Sequence, residues 1–225
     1  MTNTTRVLMI CAMAGLVSVS ACSKQRQLGQ VREDATINYQ EGNFEDALAD
    51  WGEAVDRDPG DYRGRVGLGK TFLALDRPEA AREQFELAYE LRRDDHAVLD
   101  LLCESMIAAN QIGDMHNLLE DRAQTRQTPR EWHFFGKWSA NVGDIDTAER
   151  AFLTAAQLDG GRNAVFQLSL ANFYEGLGDA DEALRRLRMA MYLDPENLAI
   201  HDRIRAMGQV PGPSYALVPD EVEPD

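Results

Sequence analysis

Residues 44–59, FEDALADWGEAVDRDP, and residues 180–195, ADEALRRLRMAMYLDP, are two versions of one pattern. Ala47, Trp51, Ala54 and Pro59 of the first align with Ala183, Leu187, Ala190 and Pro195 of the second. Between them, Ala81, Phe85 and Ala88, then Ala148, Phe152 and Ala155, repeat the same small–large–small triplet. The alanine-to-alanine steps are 34, 67 and 35 residues, so the period is close to 34. A triplet at i, i+4 and i+7 lies on one face of an α-helix. Recurrence at this interval marks a stack of short supersecondary units, each burying its apolar face against the next.

Five units follow, 28–61, 62–95, 96–128, 129–163 and 164–197, with a capping helix at 198–208. The eighth position of each is small: Ala35, Gly69, Cys103, Gly136 and Ala171. Small residues there let paired helices approach closely. Unit four is the most regular, with Trp132, Phe135-Gly136, Gly143-Asp144, Ala148, Phe152 and Ala155 all in frame. The blocks resemble tetratricopeptide repeats, helix–turn–helix units with the pattern W-x₂-L-G-x₂-Y, A-x₃-F and P. The resemblance implies an all-α, right-handed α-α superhelix. Proline agrees, because inside a helix it costs ~3 kcal/mol. Pro59 and Pro195 close units, Pro129 opens one, Pro78 lies between two helices, and the other four are in the tail.

Unit three departs from the pattern. Met115, Leu119 and Arg122 stand where alanine, an aromatic and alanine are expected, and Gly113-Asp114 lies about three residues late for the turn. These features predict a longer first helix and a polar loop through Gln124–Thr128.

The ends are different in kind. Val7–Val19 is a 13-residue apolar stretch after Arg6, too short for a ~30 Å hydrocarbon core and suited to a signal peptide over 1–21. Val19-Ser20-Ala21-Cys22 resembles the bacterial lipobox. That resemblance implies lipidation of Cys22, a short linker to residue 27, and a tether to the outer membrane on its periplasmic face, Ser23 rather than Asp following the cysteine. Cys11 would leave with the signal and Cys22 carry lipid, so Cys103 would have no disulfide partner. At the other end, residues 209–225 hold four prolines, four acids and no Lys or Arg, a composition that predicts disorder.

Composition removes several functions. Apolar residues are 44%, too few for a multi-span membrane protein. The net charge of −15 repels phosphate backbones, so no nucleic-acid partner is expected. His96, His116, His133 and His201 are scattered and form no metal set. Cys103 occupies a packing position and reads as buried and inert. Asp94-Asp95 and Asp179-Asp181 lie at turns and helix starts, where carboxylates cap N–H groups. No catalytic constellation, cofactor or small-molecule substrate emerges, and the chain is not expected to be an enzyme.

One match stands against that reading. Gly64-Arg65-Val66-Gly67-Leu68-Gly69-Lys70-Thr71 fits G-x-x-x-x-G-K-[ST], the loop that cradles nucleotide phosphates. Such a loop follows a hydrophobic strand, whereas Arg57–Tyr62 is a unit boundary. Leu68-Gly69 also coincides with the repeat's own Leu-Gly, although Gly64 and Gly67 do not. A nucleotide-binding enzyme is the alternative from another class.

In the family the first helix of each unit lines a concave channel. The matching positions here include Arg32, Tyr39, Arg63, Lys70, Leu73, Arg130, His133, Lys137, Asn141 and Asn172. His133, Lys137 and Asn141 recur every four residues on one face. They predict a locally basic lining suited to a peptide bearing carboxylates. The carboxylate clamp of chaperone-binding members is not reproduced, since Thr36 replaces its asparagine and Val66 adds no polar group. The resemblance to repeat-bearing outer-membrane lipoproteins implies a protein or peptide partner in the cell envelope and a scaffold that assists a pilus or secretion machine, pilotin-like members among them. An adaptor for peptidoglycan hydrolases is the other binding role.

Overall fold

The computed structural model describes residues 25–222, so the expected signal peptide and Cys22 lie outside the described residues. Eleven α-helices are present among them: α1 (Leu28–Gln40), α2 (Phe44–Arg57), α3 (Tyr62–Ala74), α4 (Pro78–Leu91), α5 (His96–Ala108), α6 (Ile112–Arg126), α7 (Pro129–Asn141), α8 (Ile145–Asp159), α9 (Ala164–Leu177), α10 (Ala180–Leu193) and α11 (Leu198–Ala206). One 3-10 turn, Pro213–Tyr215, follows. Helices pair as antiparallel neighbours from α1/α2 to α9/α10, successive pairs stack in chain order, and α11 closes on α10. The architecture is all-α, consistent with about five tetratricopeptide units and a capping helix.

A single backbone device turns each pair. Gly42, Asp76, Asn110, Gly143 and Gly178 all adopt positive φ, between 56° and 81°. The next N–H then donates to the carbonyl five residues back: Asn43 to Asn38, Arg77 to Phe72, Gln111 to Met106, Asp144 to Ser139 and Asp179 to Tyr174, at 2.7–3.0 Å. This is the Schellman closure, which satisfies carbonyls left free at a helix end. Helix starts are also capped: Asp61, Asp95, Thr128, Asp144, Asn163, Asp179 and Asn197 accept from backbone N–H groups in the first turn.

The turns correct the reading of unit three. Its first helix is not longer: α5 has 13 residues, as do α1, α3 and α7. The turn is at Asn110, in register with the others, and Gly113-Asp114 falls in the first turn of α6. Asparagine tolerates the left-handed region, so no glycine marks the place. The expected polar loop is also mostly helix, for α6 runs to Arg126 and leaves only Gln127 and Thr128 between helices.

Packing follows the small–large rule. A Cβ on Gly69 would come within 2.6 Å of the Phe85 ring, and one on Gly136 within 2.8 Å of Phe152. Ala35, Cys103 and Ala171, at the same position, are fully buried. In unit three Met115, Leu119 and Arg122 are buried, as are the residues they replace. Leu119 and Met115 join Phe85, Leu99, Leu102 and Phe135 in the largest core cluster. Arg122 instead forms a bidentate pair with buried Glu131 (2.6 and 2.9 Å), while its Nη1 donates to the Tyr89 hydroxyl and the Arg93 carbonyl, both at 2.6 Å.

The tail differs from expectation as well. Residues 215–222 do not hang free but lie against α9 and α10, where Glu221 meets Arg186 and Gln167. Proline and acid limit what a segment can bury by itself. They carry no information about a cation on another helix.

Candidate functional site

The first helices of units three to five form the most pocketed part of the face expected to bind. A cleft of about 700 Å³ separates α5 from α7, lined by Asp100, Glu104, Ile107, Lys137, Trp138 and Asn141. A second, of about 310 Å³, lies between α7 and α9, lined by His133, Lys137, Phe152, Ser169, Asn172 and Phe173. Lys137 belongs to both, so the clefts adjoin. A smaller hollow of about 210 Å³ between α3 and α5 includes Tyr62, Arg63, Lys70 and Leu101.

The helical repeat places these side chains. His133, Lys137 and Asn141 follow one another on consecutive turns of α7. Lys137 Nζ donates to Asp100 Oδ1 at 2.7 Å, and Trp138 Nε1 donates to the same oxygen at 3.0 Å. The ammonium also stands 5.1 Å from the Trp138 ring centre, within cation–π range. The Ser169 hydroxyl donates to the Val165 carbonyl (2.9 Å), which leaves its oxygen to accept from His133 Nε2 at 2.7 Å. Burial, helped by the Lys137 charge, holds the His133 pKa below the usual histidine value. The ring is therefore neutral at pH 7 and contributes no positive charge.

The predicted residues divide accordingly. His133, Lys137, Asn141 and Asn172 come together around the two clefts, and Arg63 and Lys70 share the smaller hollow. Arg32 is engaged elsewhere, 2.8 Å from both Asp58 and Asp61. Tyr39 packs on Phe44 across the turn, with ring centres 5.6 Å apart, and Leu73 is partly buried against the core. Arg130 is exposed at the start of α7 and lines none of these clefts.

The lining is thus not the basic one expected. Asp100 and Glu104 of unit three offset Lys137, and His133 is neutral. Both acids occupy the fifth and ninth positions of their unit, the rule that selects Lys137 in unit four. Applying it through the irregular third unit would have found them. Trp138, Phe152 and Phe173 were missed for another reason: their large rings resemble core positions, and only the gap between helices leaves an edge accessible.

The phosphate-loop reading is overturned. Gly64–Thr71 is helical throughout, inside α3 and without a preceding strand. From Arg65, which donates to the Asp61 carbonyl, its N–H groups serve the helix rather than a ligand. Buried Thr71 donates to the Gly67 carbonyl at 2.8 Å. The glycines have a packing cause: a Cβ on Gly67 would meet the Trp51 ring at 2.4 Å, as Gly69 lies beneath Phe85.

Two of the scattered histidines are part of the packing. His96 and His116 stand edge-on to Phe134 and Phe135, with centres 5.1 and 5.7 Å apart. His96 Nε2 is 3.3 Å from Glu131 Oε2, without hydrogen-bond alignment, and burial lowers its pKa. Cys103 is fully buried, which pushes its thiol pKa far up and leaves it protonated. Among the described residues no three His, Cys, Asp or Glu groups converge on a metal position, and no helix is long and apolar enough to cross a membrane.

Known proteins bear on the fold. The tetratricopeptide-repeat family model matches residues 35–96, from mid α1 to the start of α5. No curated protein matches the chain significantly. Among solved structures, MamA superposes with a TM-score of 0.50 at 16% identity, covering 83% of this chain and 98% of its own. YrrB, a tetratricopeptide-repeat protein with an unusual peptide-binding site, covers 80% of this chain and 92% of its own at 18% identity, with a TM-score of 0.45. A thermophilic repeat protein of Thermus thermophilus, TTC0263, covers 80% and 98% at 20% identity, with a TM-score of 0.47. Likeness at these identities is one of fold.

Proposed function

We propose that this chain is a protein-binding scaffold that holds an extended segment of a partner across the first helices of units three to five. One observation carries the reading: two clefts meet at Lys137, with apolar rings inside them and Glu104, Asn141, Ser169 and Asn172 as polar groups around them. A bound main chain must replace the hydrogen bonds it makes to water, and amide and hydroxyl side chains can do so. Trp138, Phe152 and Phe173 offer contact area for an apolar side chain. Because the charges are mixed, the partner segment is nearly neutral rather than strongly acidic.

The setting is the cell envelope. The lipobox-like Val19–Cys22 supports a lipid tether, and the absence of Asp after the cysteine supports the outer membrane. A tethered array of this kind would assist assembly of an envelope complex such as a pilus or secretion machine. Photocrosslinkers at Asn141 and Asn172 of the membrane-anchored protein, with a control at Asp46 on α2, test the binding face. A discrete product from the two asparagines and none from Asp46 is expected; equal labelling at all three would refute the groove. Radiolabelled palmitate should enter the unchanged protein and not Cys22→Ser, and undiminished labelling of that variant would end the tether reading.

A further inference from the structure

The tail contacts describe a second recognition site, on α10 and away from the clefts above. Arg185, Arg186 and Arg188 lie within four residues of one another in a chain of net charge −15. Arg186 and Gln167 are only 4% and 1% exposed. Arg186 Nη1 donates to Glu221 Oε1 at 2.8 Å and to Gln167 Oε1 at 3.1 Å. That second bond turns the Gln167 amide so that its Nε2 donates to Glu221 Oε2 at 2.8 Å. Both carboxylate oxygens are thereby bound by buried, mutually oriented donors.

Neighbouring contacts read the rest of the segment. Arg185 pairs with Asp220. Arg188 Nε donates to the Tyr215 carbonyl at 2.8 Å, and its guanidinium lies 4.5 Å from the Tyr215 ring centre. The Leu217 N–H donates to the Arg188 carbonyl at 3.2 Å. Pro219 and Val222 sit against Gly161, where a Cβ would come within 2.9 and 3.0 Å of them. Beyond, a cleft of about 730 Å³ bounded by Leu158, Asp159, Arg162 and Val222 leaves room for more chain.

Without the tail, the nearest carboxylate to Arg186 is Glu182, 3.7 Å from Nε. A guanidinium this buried is costly without a well-placed counter-ion. The site therefore calls for an anion, and the contacts on either side of Glu221 call for one carried within an extended peptide. The resident segment is lightly held for a structural element. Apart from the end of one 3-10 turn it has no helix or strand, and Val218 and Val222 are 49% and 39% exposed.

We propose that Gln167, Arg185, Arg186 and Arg188, with Gly161, form a binding site for an extended acidic peptide of a partner protein, occupied in cis by residues 215–222 and opened when that partner displaces them. This site is independent of the α5–α7–α9 reading and survives its failure. Tethering gives the tail a high local concentration, so a competing segment must bind more tightly or be locally concentrated itself.

The test compares the full-length protein with its D220K/E221K variant, in which the tail meets the arginines with like charge. A fluorescent peptide of residues 212–225 is titrated into each. The variant should bind saturably, and the unchanged protein about tenfold more weakly or worse, because only the fraction with a released tail is competent. A peptide carrying Glu221→Gln should lose most of its affinity. Equal binding to both proteins, no binding to a variant of unchanged helicity, or indifference to the peptide substitution would each overturn the proposal. If the variant loses helicity, hydrogen exchange on the unchanged protein decides. The Leu217 amide should be protected and lose protection when excess peptide is added. An unprotected amide, or protection that the peptide leaves unaltered, rejects the site.

Discussion

Units three and four are adjacent in the stack and are held together by different physics. In unit four the second helix presses Phe152 onto a bare Gly136, and shape complementarity joins the two helices. In unit three the corresponding row is Met115, Leu119 and Arg122, and its last member is a charge buried to 5% exposure. That charge crosses to Glu131 at the start of unit four and also ties down Tyr89 and the Arg93 carbonyl of unit two. Burial is the property the two rows share, and residue type is not. A repeat position demands removal from water, and either an alanine or a fully paired arginine meets that demand.

The comparison breaks most visibly at the ion pair. Arg122→Ala should cost about 3 kcal/mol in urea unfolding, since it removes the bidentate partner of buried Glu131 and leaves only the more distant Arg126, 3.5 Å from Oε1. Arg122→Met with Glu131→Leu should recover most of that loss, because an apolar pair of similar size needs no solvation. If the double replacement is as unstable as the single one, charge is not what distinguishes unit three. On the unit-four side, Gly136→Val should cost about 1–3 kcal/mol by overpacking against Phe152, measured by the shift of the urea midpoint.

A pH series probes one half-buried histidine from each unit. His96 and His133 both have folded pKa values below the ordinary 6.5. The unfolded chain then binds more protons, so stability is full above about pH 6.5 and falls as the pH drops below it. His96 faces Glu131, Arg122 and Arg130, and His133 faces Lys137 and Ser169. Calorimetry between pH 7.5 and 5.5 should show a falling Tm whose slope lessens in His96→Gln and in His133→Gln. A slope unaffected by both would assign the acid sensitivity to carboxylates. The smallest effects lie in the turns. Asn110→Gly should stabilise by about 0.5–1 kcal/mol and Gly143→Ala destabilise by about 1 kcal/mol, because both positions have positive φ; equal shifts in the same direction would contradict the shared turn.

Legibility in the sequence followed the range of the interaction involved. The repeat period was readable even where residues degenerated, because the positive-φ turns at 42, 76, 110, 143 and 178 keep a 34, 34, 33 and 35 spacing. Asn110 hid one of those turns, since it does not announce a left-handed conformation as glycine does, whereas Pro78 marked the turn at Asp76. In the proposed binding face, Lys137 and Asn141 were found from the groove positions that the family resemblance implies, and Asp100 and Glu104 were overlooked because their unit looked irregular. Three glycines suggested a phosphate loop until Trp51 and Phe85 were seen lying across two of them.

The sequence by itself determined the helix pairs, their period and the small residues that let them approach. Each is set by contacts within one helix or between sequential neighbours, so a pattern of a few dozen residues contains it. Only the tertiary structure decided which charges meet. Lys137 reaches Asp100 across 37 residues, Arg122 anchors Glu131 from the next unit, and Arg186 collects Glu221 from a tail that composition predicts to be free. Hydrogen-bonded ion pairs act over about 3 Å, and that proximity depends on how whole helices are stacked. No local period records it.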